Sequence, residues 1–114
     1  MIDQFNVLHL LPADSRTATG NGAGFDVKDY VDQGKFILDT EGGTGTAPTL
    51  DVKLQESDDN VTFSDIPGEA FSLVTTAAST QTKHVAMDML KQYIRAVATI
   101  GGTSPAFVCA VSMV

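Results

Sequence analysis

The chain has 114 residues, a mass of 12.0 kDa and a formal net charge of −7, with 43% hydrophobic and 18% charged residues. That balance suits one globular domain and excludes a disordered chain; no apolar run approaches the ~20 residues of a membrane-spanning helix. The single cysteine, Cys109, rules out an internal disulfide and a zinc site built of cysteines, and the acidic surplus would repel nucleic acid.

In chain order, the first apolar stretch holds Phe5, Val7, Leu8, Leu10 and Leu11. No basic residues precede it and Pro12 interrupts it, unlike a signal peptide. A small, polar, glycine-rich run from Ala13 to Gly24 follows. Two readings fit: a first strand and its loop, or an arm that orders against a neighbouring chain. We take residues 1–24 as an extended N-terminal arm and 25–114 as the β domain. Gly34 to Asp39 reads as a strand and 41–46 as a flexible loop. From Leu50 the pattern is explicit: Leu50, Val52 and Leu54 alternate with Asp51, Lys53 and Gln55, which puts the apolar set on one face. Ser57, Asp58, Asp59 and Asn60 supply turn chemistry, and Val61 and Phe63 begin the returning strand, which Pro67-Gly68 ends. Ala70 to Thr75 reads as a short strand. Thr80 to Met89 reads as another, with His84, Ala86 and Asp88 on one side and Lys83, Val85, Met87 and Met89 on the other. Leu90 to Gln92 forms a corner. Tyr93 to Ile100 alternates again, Gly101 to Pro105 reads as a turn, and Ala106 to Val114 is apolar on both faces, as a central strand would be. With no amphipathic helix of ten residues, the pattern predicts an all-β fold: an antiparallel β-sandwich of about six to eight strands.

Charge is unevenly placed. Residues 26–65 hold ten acids against three lysines, the whole of the net charge, and the remainder is neutral. An acidic part facing solvent and a neutral part touching a partner would satisfy that division. No catalytic set emerges. His9 and His84 read as structural or exposed histidines, Cys109 as a small buried hydrophobe, and no nucleophile elbow or phosphate-binding loop occurs. Asp58-Asp59-Asn60 lacks the spacing of a calcium loop, so no metal and no cofactor is expected. Without tryptophan, and with Tyr30 and Tyr93 as the only tyrosines, a sugar-stacking platform is weakly supported.

Three blocks, taken together, carry a resemblance: Gly45 to Ile66, with its LQESDDNVTF core; Lys91 to Ile100; and Gly101 to Phe107. In this order they resemble small β-sandwich virion proteins of tailed bacteriophages, of the head decoration (cement) type, over residues 34–114. Asn60 stands where such hairpins usually carry glycine. Phe63 stands where tryptophan is frequent in related sugar-binding modules. The resemblance implies a non-enzymatic protein of the virion surface, made in the host cytoplasm. It would bind the major capsid protein lattice, often as a homotrimer, with no nucleic acid and no membrane. On that reading Phe5, Val7, Leu8, Leu10 and Leu11 form the attachment surface, Arg16 pairs with a capsid carboxylate, and the acidic tip at Asp58 and Asp59 points outward. A tail or baseplate structural protein, or a carbohydrate-binding module, are the alternatives; an enzyme using His9 and His84 is the least favoured.

Overall fold

The computed structural model describes residues 8–27, 33–87 and 90–113. Eight strands appear in order: β1 (Leu8–Arg16), β2 (Gly20–Asn21), β3 (Phe25–Asp26), β4 (Gln33–Thr40), β5 (Thr44–Ser57), β6 (Ser64–Ala70), β7 (Ser79–Ala86) and β8 (Tyr93–Met113). The fold is all-β, one antiparallel sheet bent until it is nearly closed.

The registers reveal a simple plan. β8 is the axis. Along one edge, residues 8–26 run antiparallel to its full length, from Leu8↔Met113 through β1 to Asp26↔Tyr93 in β3. Along the other edge, residues 33–57 do the same, from Phe36↔Met113 in β4 to Ser57↔Tyr93 in β5. Residues 64–86 then line the outside of that second pass: β6 pairs with β5, β7 with β4, and a bridge at Leu50↔Val74 links the two segments.

These passes cannot be straight. At ~3.3 Å per residue, a 21-residue strand would reach ~69 Å, whereas the longest dimension of the molecule is 42 Å. The bend falls where β5 and β8 cross from one half of the sheet to the other. There Gly45 (φ 103°) and Ala47 (φ 49°) of β5 lie beside Gly102 (φ 111°) and Ser104 (φ 49°) of β8. Left-handed backbone at four positions on two paired strands kinks both at once.

The alternating apolar residues point into the bend. Leu50, Val52 and Leu54 are buried against Ile94, Ala96 and Ala98, and Phe36, Leu38, Phe107, Cys109, Val111 and Met113 fill the other half.

Several expectations change. Gly101 to Pro105 is not a turn but the kinked middle of β8, since the chain on either side pairs with β5 rather than with itself. The loop at 41–46 shortens to 41–43. Pro67-Gly68 does not end β6. A register shift between Lys53 and Gln55 takes up the extra residues, and an edge strand tolerates proline. Residues 61–63 are not strand, and Ala70 to Thr75 is not a strand of its own: Ala70 ends β6 opposite Lys53, the Phe71 N–H donates to the Val52 carbonyl, and Val74 bridges to Leu50. Asp88 and Met89, at the end of the predicted 80–89 strand, lie outside the described residues. The boundary placed at residue 24 falls inside the sheet, because residues 8–26 already lie along β8.

Candidate interaction surface

The leading segment divides. Phe5 and Val7 lie outside the described residues. Leu8 is half-buried and packs on the core, while Leu10 and Leu11 are 0% and 2% exposed within it. Leu10 and Leu11 are core residues of their own chain and not part of an open attachment face. The reason is local: the register of β1 shifts between His9 and Leu11, which turns two consecutive leucines to the same interior.

Arg16 is folded back on its own strand. Its Nη2 donates to the Pro12 carbonyl at 2.6 Å, and its Nε is buried without a hydrogen-bond partner. The guanidinium also neighbours the Cys109 thiol, whose pKa burial pushes up while Arg16 opposes the rise. Cys109 is 1% exposed, as expected of a small core hydrophobe.

The acidic tip has its own architecture. Asp58 is exposed, with Lys91 Nζ 3.7 Å from its carboxylate. Asp59 is exposed as well, yet it organises the loop. Its Oδ1 accepts from the Val61 and Thr62 backbone N–H groups at 2.9 and 3.0 Å, and from Ser57 Oγ at 2.9 Å. Ser57, 1% exposed, in turn accepts from the backbone N–H of Asp59 and Asn60. Those backbone donors, Thr62 first, hold the Asp59 carboxyl down to about 2. Asn60 takes the left-handed conformation (φ 61°) that a short polar side chain tolerates.

On the outer face of β5 and β8 a polar ladder runs across the sheet. Lys53 and Gln55 both bond Asp65, Arg95 Nε donates to Gln55 Oε1 at 2.8 Å, and the Arg95 guanidinium lies 4.1 Å from the centre of the Phe63 ring. That cation–π contact occupies one face of the Phe63 ring.

His9 and His84 are exposed on separate strands, β1 and β7. Among the described residues, no three His, Cys, Asp or Glu side chains gather as a metal site, and no helix is long and apolar enough to cross a membrane.

Sequence reading missed the way the sheet closes. β7 faces β6 and the residues that follow β6 across a seam joined by side chains. Gln81 bonds both the backbone N–H and the carbonyl of Ser72, at 2.7 and 3.0 Å. Lys83 Nζ lies 3.9 Å from Glu69 Oε1. Beyond that point the seam opens into a cavity of about 300 Å³ lined by Glu56, Ile66, Pro67, Glu69, Val85, Ala86 and Leu90. No short motif marks these residues, because they come from three strands and a corner. The chain matches no protein-family model and no curated protein sequence.

Proposed function

We propose that this chain is a structural protein of a tailed-phage virion, a decoration protein that binds the major capsid protein lattice and stabilises the head. The observation that carries the reading is the division of charge between the two sides of β8. The pass along one edge, with the loop that follows it, bears Asp39, Glu41, Asp51, Glu56, Asp58 and Asp59 against Lys35 and Lys53. In the pass along the other edge, Leu8 to Asp26, the ionisable residues besides His9 are Asp14, Arg16 and Asp26. A body that is acidic on one flank and close to neutral on the other suits adhesion by the neutral flank.

Two further features support it. The blocks that carry the resemblance become β5 and β8, paired from Thr44↔Ala106 to Ser57↔Tyr93. The ionisable residues at the tip and on the polar ladder are engaged in holding loop and sheet together. With Leu10 and Leu11 inside, attachment falls to the exposed side of the β1–β8 pair, where Ser15 faces Val108, itself 43% exposed. Many copies on a symmetric lattice would let modest single contacts reinforce a shell.

The test is direct. Purified protein is mixed with expanded heads that lack it, and binding is followed by co-sedimentation and head stability by thermal release of DNA. Saturable binding that raises the release temperature is expected. Heads that neither bind the protein nor gain stability overturn the proposal.

A further inference from the structure

We infer that the open end of the β6–β7 seam is a docking site for an arginine side chain carried by an extended segment of a partner protein. The inference stands on the seam itself and does not depend on the partner being a capsid.

The seam is built as a series of polar rungs between β7 and the 66–72 stretch that holds the end of β6 and the residues after it. Gln81–Ser72 is the first and Lys83–Glu69 the second. At the third position Val85 and Ile66 border the cavity, and no hydrogen bond or ion pair crosses it among the described residues. The floor is apolar, from Ile66 (8% exposed), Val85 (4%) and the half-buried Leu90. Pro67 and Ala86 are exposed at its rim, and the carboxylate-bearing Glu56 and Glu69 complete the lining. Both carboxylates keep acceptor capacity. Glu56 Oε1 accepts from the Lys91 backbone N–H at 3.1 Å, leaving its second oxygen, and the 3.9 Å approach of Lys83 to Glu69 exceeds hydrogen-bond distance.

Charge, shape and size select the occupant. Two carboxylates over an apolar floor call for a cation that is weakly hydrated and flat. A guanidinium meets that description better than an ammonium, and its planar fork of donors can serve two carboxylates. At about 300 Å³ the cavity stands at the lower limit of the ~300–1,000 Å³ range of small-molecule clefts. One long side chain suits it better than a cofactor-sized ligand. The flanking backbone favours an extended donor: β6 pairs only with β5 and β7 only with β4, so both strands offer an unpaired edge among the described residues.

The experiment follows methyl resonances of the intact protein by NMR while N-butylguanidinium chloride is added. Saturable shifts at Ile66, Val85, Ala86 and Leu90 are expected, with none from the neutral isostere N-butylurea. Glu69→Gln should weaken binding by about tenfold, as loss of a charge-assisted hydrogen bond implies, while Lys83→Gln should tighten it by removing the competing ammonium. A native-like methyl spectrum establishes that each variant is folded. Acetyl-Val-Arg-Val-amide should bind more tightly than butylguanidinium, since it adds contacts along a strand edge. No shift at these methyls, an equal response to the urea, or indifference to Glu69→Gln overturns the site. A peptide no tighter than the free guanidinium overturns the identity of the donor.

Discussion

Asp59 shows how an exposed carboxylate can still be tied to folding. Two backbone N–H groups and the Ser57 hydroxyl point at one of its oxygens, and its pKa drops from 3.8 to about 2. A carboxyl depressed by folding contributes its stability in full above the unfolded pKa and loses it as pH falls toward the folded value. The melting temperature should therefore fall between pH ~4 and ~2. Asp59→Asn should have a lower melting temperature at neutral pH and a shallower decline through that window, measured by circular dichroism. Equal slopes in the two proteins would remove Asp59 as the cause. Ser57 is the buried half of the same device. Ser57→Ala leaves the Asp59 and Asn60 backbone donors without their acceptor, at a cost of about 1–3 kcal/mol in urea unfolding. The sequence made Ser57 to Asn60 legible as a turn. It did not reveal which carboxylate bonds inward, since Asp58 and Asp59 are chemically identical until the backbone aims one of them.

At the scale of the strands, the kink shared by β5 and β8 separates what periodicity can tell from what it cannot. The alternation of Leu50, Val52 and Leu54 and of Ile94, Ala96 and Ala98 was readable because period two is a local property. Gly101 to Pro105 reads locally as a turn because the same left-handed residues serve a reversal or a kink, and the choice depends on a partner about fifty residues away. The strand at Leu8–Arg16 was ambiguous for the same reason, its partner being at the other end of the chain. Glu56 and Glu69 entered only a charge count, and nothing local brings them to one cavity. Gly102→Ala tests the kink. A Cβ there would meet the Ala47 carbonyl at 2.7 Å and the Thr46 carbonyl at 2.9 Å, in a backbone conformation that alanine resists. Destabilisation of more than about 1 kcal/mol is expected in denaturant titration. Conversely, Ala47→Gly relieves a left-handed alanine. It should be neutral or stabilising by up to about 1 kcal/mol, unlike most alanine-to-glycine changes; a clear loss of stability would show that the kink does not strain Ala47.

For the molecule as a whole, the leading strand is part of what keeps the sheet closed. Leu10→Ala should cost about 2–5 kcal/mol, a large share of the ~5–15 kcal/mol that domains of this size possess. An arm that served only an outside partner would leave unfolding in urea unchanged. The acidic flank predicts a second bulk property: carboxylates crowded along residues 26–65 repel one another, so added sodium chloride should raise the melting temperature at neutral pH as screening takes hold. A melting temperature that falls with salt would mean that attractive pairs such as Lys53–Asp65 outweigh the repulsion.

Every strand except β6 and β7 is paired with β8, and β8 leaves the ribosome after all of its partners. Until then the nascent chain can assemble only the β4–β7 and β5–β6 pairings, with five strands waiting for their common neighbour. The sheet is consequently completed last at its centre, and folding is slowed by closing contacts between distant parts of the chain. During that wait the surplus of carboxylates doubles as a guard against aggregation, holding incomplete chains apart while their edges are still bare.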